Sequence, residues 1–297
     1  MAVIATGFFD GVHAGHRLVI DTLISEAKRL GEESMVITFW PHPRTVLQNG
    51  ARELRLLTSL SEKKALLHSM GVDRVEVLDF TKEFSHLTAE QYLRDIVKAR
   101  LGGSTIVLGY DNRMGSDGLT RDAIIPLAES LGLRVIGTPA ILSSDQSFTV
   151  SSTKVREALQ DGRVDDAGRM LGYRYVLHGV VVAGNQLGRT LGYPTANMKL
   201  YEPLKLIPKN GVYLVEVETL GNHYYGMCNI GVRPTVSASL ERTLETHIFD
   251  FDELIYGLDI RISFVKRIRD EKRFSSLDEL KAQLADDERI SRQNLTR

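Results

Sequence analysis

Apolar and polar residues change rhythm near residue 172. Before it, short apolar runs alternate with longer segments of helical period. Strands are predicted at Ala2–Ala5, Ser34–Phe39, Val75–Leu78, Thr105–Leu108 and Arg134–Gly137, with amphipathic helices between them. The first helix carries Leu18, Val19, Leu23, Ile24, Ala27 and Leu30 on its apolar face. Capping boxes at Ser59/Glu62 and Thr88/Gln91 start two more, the second stopping at Gly102-Gly103. This order predicts a parallel α/β sheet with helices on both faces. Residues 152–171 read as helical, broken at Gly162.

After residue 172 the runs are rich in Val, Ile, Tyr and Phe and are punctuated by Gly, Asn and Pro. Strands are predicted at Tyr175–Val182, Gly211–Val217, Tyr224–Ile230, Thr243–Phe249 and Asp259–Ile268, giving an antiparallel barrel or sandwich. A terminal helix follows, capped by Ser276 and Glu279, with Leu277, Leu280 and Leu284 on one face. The 297 residues suffice for two domains, and neither a repeat nor a low-complexity tract interrupts them.

Composition narrows the function classes. Hydrophobic residues make up 43% and charged residues 25%, as in a globular protein. A net charge of −1 argues against a broad nucleic-acid surface. No segment approaches the ~20 apolar residues of a membrane span. The N-terminus has no basic run of the kind that opens a secretory signal. The single cysteine, Cys228, excludes an internal disulfide and fits a cytoplasmic protein. No nucleic acid, membrane or obligate protein partner is expected.

Gly7-Phe8-Phe9-Asp10-Gly11-Val12-His13-Ala14-Gly15-His16 lies between the first strand and the first helix. Free N–H groups and the helix dipole favour an anion there. Glycines admit a phosphate close to the backbone, and two imidazoles supply donors to a charged transition state. His13 and His16 lack a neighbouring third His or a Cys, which disfavours zinc. Thr38-Phe39-Trp40-Pro41-His42-Pro43-Arg44 ends the second strand in a rigid turn, where Phe39 and Trp40 offer stacking surfaces or core packing. Gly109-Tyr110-Asp111-Asn112-Arg113-Met114-Gly115 ends the fourth. Ser151-Ser152-Thr153-Lys154-Val155-Arg156 opens a helix and suits either a phosphate or an ordinary cap with solvated charges.

In the second half Gly184 and Gly188 frame a turn leading to Arg189 and then Pro194-Thr195-Ala196-Asn197. The Thr195 hydroxyl and Asn197 carbonyl oxygen are hard donors suited to magnesium. Asn210-Gly211-Val212-Tyr213 and Asn229–Thr235 read as turns and core strands. Glu245, His247 and Phe249 share one face of a strand, where a glutamate among apolar neighbours is either a surface charge or a general base. No Gly-x-x-x-x-Gly-Lys-Ser/Thr loop occurs.

With these motifs in order and spacing, nearly the whole chain resembles the prokaryotic bifunctional riboflavin kinase/FAD synthetase family. The resemblance implies a Rossmann-like nucleotidyltransferase domain over 1–158, a linker helix over 159–171 and a riboflavin kinase barrel over 172–297. It implies phosphorylation of riboflavin to FMN and adenylylation of FMN to FAD, with ATP as co-substrate and Mg²⁺ as cofactor. His13 and His16 would stabilise the reacting phosphorus. Gly7, Phe8, Asp10, Gly11, Gly15, Asp111, Ser152, Thr153 and Arg156 would bind the nucleotide and its phosphates. Phe39, Pro41, His42, Pro43 and Arg269 would face flavin. Gly184, Gly188, Arg189, Pro194, Thr195 and Asn197 would hold Mg-nucleotide, with Thr195 and Asn197 on the metal. Glu245 would be the base for the riboflavin 5′-hydroxyl. The family usually has aromatic residues where Asn112 and Met114 stand, so the acceptor packing differs here. The alternatives are a nucleotidyltransferase with another acceptor, which leaves Glu245 without a role, and a flavin-binding regulator that turns over no ATP. A class I aminoacyl-tRNA synthetase would need a longer chain and a basic surface.

Overall fold

The computed structural model describes residues 1–47, 54–143, 149–184, 187–234 and 240–295; Thr235 of the Asn229–Thr235 motif lies outside them. The chain forms two compact units, Met1–Ser152 and Thr153–Arg297.

The first unit is a parallel sheet of β1 (Ala2–Thr6), β2 (Glu33–Trp40), β3 (Arg74–Asp79), β4 (Gly103–Leu108) and β7 (Arg134–Gly137), ordered β3-β2-β1-β4-β7. Its helices are α1 (Ala14–Leu30), the short α2 (Pro43–Leu47), α3 (Leu60–Ser69), α4 (Ala89–Gln91, continuing with π-helical winding over Tyr92–Arg100) and α5 (Arg121–Ser130). Both predicted capping boxes are formed, at Ser59/Glu62 and Thr88/Gln91. The turn after β4 adds a hairpin of β5 (Arg113–Met114) and β6 (Leu119–Thr120). Alternate residues of β1 feed opposite cores: Ala2 and Ile4 pack under α4 and α5, Val3 and Ala5 under α1. Helix α1 is rotated from its predicted phase. Ile20 is buried with Val19, Leu23 and Ala27, while Leu30 is exposed next to Gly31, which ends the helix in a left-handed cap (φ 67°).

The second unit contains α6 (Ser152–Gln160, all but its first residue) and α7 (Val164–Leu171), separated at Gly162 (φ 81°). The second unit thus begins at Thr153, within α6. The helical stretch is no free linker: α7 packs on β13 and the Leu159 carbonyl accepts from the Lys209 amide at 2.9 Å.

The strands β8 (Val176–Val182), β9 (Ala196–Leu200), β10 (Gly211–Thr219), β11 (Asn222–Pro234), β12 (Leu240–Ile248) and β13 (Asp259–Arg269) close an antiparallel barrel, ordered β10-β11-β12-β9-β8-β13. Strand β9 is a strand beyond those the hydrophobic pattern predicts, and it opens with Ala196 and Asn197 of the Pro194–Asn197 motif. The short α8 (Leu187–Thr190) precedes it. Tyr213, Val215, Cys228, Ile230, Ile262 and Phe264 are buried on one face of their strands; Val212, Leu214 and Met227, on the other, pack with Phe249 and with Leu284 and Leu295 of α9 (Leu277–Leu295). Leu277, expected on the apolar stripe, is exposed in the capped first turn.

Helix α9 is fixed by one buried ion pair. Asp287 is fully buried and accepts from Arg269 Nε at 2.8 Å and Nη2 at 2.7 Å, and from Gln283 Nε2 at 3.0 Å. Asp287→Ala leaves the guanidinium without its counter-charge and is expected to cost about 3 kcal/mol. Amide exchange across α9, followed by mass spectrometry, should accelerate; wild-type exchange would refute this role.

Candidate functional site

Each unit brings part of its predicted residues around a cavity. In the first, β1 delivers the chain into a turn that most side chains avoid. Phe9 and Val12 have φ of 52° and 40°, and Gly11 has 80°. A β-branched residue in the left-handed region is strained. The strain is held by the segment before α3. The buried Asp10 carboxylate accepts from the Leu57 and Thr58 amides at 3.0–3.1 Å and from the Thr58 hydroxyl at 3.1 Å, while the Gly11 amide donates to Thr58 Oγ1 at 3.1 Å. Ser152 Oγ donates to the Asp10 carbonyl at 2.9 Å. Asp10 and Ser152 are therefore parts of the turn's scaffold.

Helix α1 begins after His13, so its free N–H groups open at this turn. The rings of His13 and His16 stack with centroids 3.7 Å apart. Gly15 makes room for this: a Cβ there would lie 3.3 Å from the His13 ring. His16 is half-buried, its Nδ1 enclosed without a hydrogen-bond partner among the described residues. Burial, then His13 and Lys63, hold its pKa well below the usual imidazole range. So held, it is uncharged at pH 7 and offers one N–H donor.

Lys63 was not singled out from the sequence. Its ammonium is fully buried on α3, donating to the Phe8 carbonyl at 2.7 Å and to Thr38 Oγ1 at 3.2 Å, 3.7 Å from the Phe8 ring centroid. Burial pushes its pKa down to about 8, against the opposing pull of Asp10. A lysine after a capping box reads as solvated, and only the tertiary fold reveals it.

Beside the turn is a cavity of about 520 Å³, whose wall includes Gly7, Phe8, Phe39 and Pro43. Phe80, Phe84 and Tyr92 extend the Phe39 surface, with ring centroids 5.7–6.3 Å from Phe39 or, for Phe80, 5.9 Å. The Tyr92 hydroxyl is hydrogen-bonded to Thr6 Oγ1 at 2.7 Å. His42 sits edge-on to Phe8, centroids 4.0 Å apart, after the cis Trp40–Pro41 bond. Asp111 is exposed and does not line this cavity, whereas Asn112 does. The Asn112 amide accepts from Gly109 N at 2.6 Å and donates to the Thr6 carbonyl at 3.4 Å, joining the ends of β4 and β1. Met114 is buried in the core. The aromatic surface thus comes from β2 and the segment after β3. Thr153 and Arg156 stand on the first turn of α6, grouped with the second unit.

In the second unit, register does the work. Arg269, Val212, Asn229, Glu245, Asn197 and Val182 are successive cross-strand partners on β13, β10, β11, β12, β9 and β8. Partners directly opposite share a face. Glu245, Asn229, Thr195, Arg269 and Gly188 all line one cavity of about 400 Å³, closed by Leu284 of α9. The predicted common face of Glu245, His247 and Phe249 is present: all three rings or carboxylates sit on the α9 side, with His247 and Phe249 centroids 5.9 Å apart. His247 Nδ1 is 2.8 Å from the Pro194 carbonyl, pinning the chain just before Thr195.

A second cavity, about 320 Å³, is lined by Arg189, Pro194 and the 251–256 segment; Thr195 belongs to both walls. Gly184 packs on the Asn197 amide, where a Cβ would come within 2.3 Å. Among the described residues no cluster of three or more His, Cys, Asp or Glu side chains could hold a metal. Thr195 and Asn197 are hard oxygen donors in the chemistry magnesium accepts when substrate phosphates complete its shell. Asn229 was read only as part of a strand. Its signal appears once the strands pair, opposite Glu245.

Comparisons with known proteins follow this division. The FAD synthetase family model matches residues 1–154 and the riboflavin kinase model residues 171–295. A bifunctional riboflavin kinase/FMN adenylyltransferase of Escherichia coli K12 is 38% identical, covering 98% of this chain and 92% of that one. Its namesake from Listeria monocytogenes is 36% identical, covering 98% and 91%. A crystal structure titled macrolide-efflux protein, from Streptococcus pneumoniae, superposes with TM-score 0.91 at 34% identity, covering 98% of this chain and 93% of that one. No described helix here is long and apolar enough to cross a membrane. With both family models in order along it and relatives of this identity over nearly its full length, the chain belongs to the bifunctional riboflavin kinase/FMN adenylyltransferase family.

Proposed function

We propose that the second unit phosphorylates riboflavin to FMN and that the first transfers AMP from ATP to FMN, giving FAD and pyrophosphate. The observation that carries this is the ladder row Asn229, Glu245 and Asn197, which puts the Glu245 carboxylate at a cavity wall together with Asn229 and Thr195. A carboxylate so placed accepts the proton of the riboflavin 5′-hydroxyl as its oxygen attacks the γ-phosphorus and ADP leaves. Thr195 and Asn197 would hold Mg²⁺, which supplies neutralisation of the phosphate charge. Arg189 and Pro194, with Gly184 and Gly188 framing the approach, would contact the nucleotide, and Arg269 the flavin.

In the first unit an FMN phosphate oxygen attacks the α-phosphorus of ATP and pyrophosphate departs. Positioning and charge neutralisation suffice, without a protein nucleophile. His13, a neutral His16 and the N–H groups of α1 would face the phosphorus; Ser152, Thr153 and Arg156 the departing phosphates. Gly7, Phe8, Gly11, Gly15 and Asp111 belong to this nucleotide site. Phe39, Pro41, His42 and Pro43 would receive the flavin, extended by Phe80 and Phe84. The protein is taken as cytoplasmic, a reading supported by its one cysteine, buried in the barrel.

Incubation with riboflavin, ATP and Mg²⁺ is expected to yield FMN and then FAD; absence of ATP consumption would favour a flavin-binding regulator. Glu245→Gln should slow FMN formation by about 10²–10⁴-fold while FMN-to-FAD conversion persists. Loss of both activities in a folded variant would remove Glu245 from its role. The double variant His13→Ala, His16→Ala should do the reverse, cutting FAD synthesis by about 10³-fold.

The depressed pKa of His16 also sets a pH dependence. Below about 6.5 the unfolded chain binds a proton there that the folded chain refuses. Stability contributed by this site is complete above that pH and is lost as pH falls toward the folded-state value. Thermal midpoints measured from pH 7.5 to 5.5 should fall less steeply in His16→Gln than in wild type; parallel profiles would refute the assignment.

A further inference from the structure

We propose that Lys63 is a positioning residue for adenylyl transfer: its buried ammonium fixes the Phe8 carbonyl, and with it the strained turn that presents His13 and His16. This rests on the reading of the first unit given above. Lys63 is fully buried and does not itself line the cavity; it reaches the wall only through Phe8, whose carbonyl and ring it holds from behind. Its contacts are all structural parts of the turn: the Phe8 carbonyl, the Thr38 hydroxyl and the Phe8 ring. Thr38 Oγ1 itself donates to the same carbonyl at 3.2 Å. Two donors from two elements, α3 and β2, thus converge on one backbone oxygen immediately before Phe9, the first residue forced into the left-handed region.

An apolar side chain would fill this slot at lower cost in desolvation, since an ammonium out of water is expensive and cation–π contact repays part of it only. A residue that merely filled space would not be charged. What the charge adds is a short, strong bond to a carbonyl that the Thr38 hydroxyl alone holds at 3.2 Å. A second consequence follows from its position behind the histidines. The ammonium raises the potential at His16 and so helps keep that imidazole an uncharged donor until the polyphosphate arrives.

The test uses the full chain with Lys63→Met and Thr38→Val. Lys63→Met should lower kcat for FMN-to-FAD conversion by about 10²-fold, the cost of a misplaced turn, with KM for ATP within roughly threefold. Its thermal midpoint should be unchanged or raised, since an isosteric apolar chain replaces a desolvated charge. Riboflavin phosphorylation in the same preparation should stay at the wild-type rate. Thr38→Val should show the same kcat-selective pattern at about fivefold. A kcat for Lys63→Met within threefold of wild type overturns the proposal. So does a thermal midpoint that falls together with activity, which marks a merely structural lysine. If Lys63→Met does not fold, Thr38→Val decides: an unchanged kcat overturns the proposal and a selective loss sustains it. The double histidine variant separates the two readings. If it keeps FAD synthesis, the assignment of the turn is wrong; if it loses FAD synthesis and Lys63→Met does not, only the role of Lys63 is.

Discussion

The Asp10 carboxylate carries the first unit's functional end. It takes hydrogen bonds from two successive amides and a hydroxyl of the segment leading into α3, and these offset a backbone that would otherwise relax. Left-handed φ at Phe9 and Val12 costs on the order of 1–3 kcal/mol each. Without that conformation the chain would leave β1 in an extended path, and α1 would not begin where it does. The helix N-terminus, the stacked histidines and the Phe8 carbonyl are consequences of one pinned turn. The segment 57–63 is therefore as much part of the site as the turn it grips, although it contacts no predicted ligand.

The second unit solves the equivalent problem without strain. There the side chains are placed by ladder register on a closed barrel, whose strands have no free edge along which to slip. A one-residue shift of β12 would turn Glu245 into the core and bring Thr246 out. The apolar inner face, with Cys228, Tyr213 and Phe264 fully or nearly fully buried, forbids that shift. Helix α9 then closes the outer face over the carboxylate. The Arg269–Asp287 pair reaches from the last strand to that helix, so a residue expected to meet flavin also anchors the wall of the cavity that Glu245 lines.

Much of this was legible from the sequence because it depends on local chemistry. Capping boxes, the break at Gly162, the five parallel strands and the shared face of Glu245, His247 and Phe249 follow from periods of 3.6 and 2 and from the side chains that terminate helices. What could not be read depends on distant partners. Thr58 and Lys63 acquire meaning only when α3 packs beneath the turn. Nothing near Arg269 in sequence marks its pairing with Asp287, eighteen residues later on another element. Strand β9 was hidden because Pro194 and Thr195 signal a turn, and the two pairs that bind β12 to it, Glu245 with Asn197 and Thr246 with Ala196, are non-local. Asn112 shows the converse: its departure from the family's aromatic pattern was visible, but its use as a clamp between β1 and β4 was not.

The two sites share an electrostatic economy. Buried full charges support them: Lys63 and Asp10 beneath the turn, and Asp287 holding the cavity-lining Arg269 from α9. Several of the groups proposed to meet substrate are neutral or dipolar (an uncharged imidazole, helix N–H groups, hydroxyls and amides), beside the charged Glu245, Arg156, Arg189 and Arg269. ATP brings several negative charges. A site lined with fixed cations would hold its ground state as tightly as its transition state, lowering KM without raising kcat. Oriented neutral donors gain most as charge shifts onto the oxygens they face. Charges used behind the site fix the geometry of those donors, and the desolvation they suffer is the cost of that geometry.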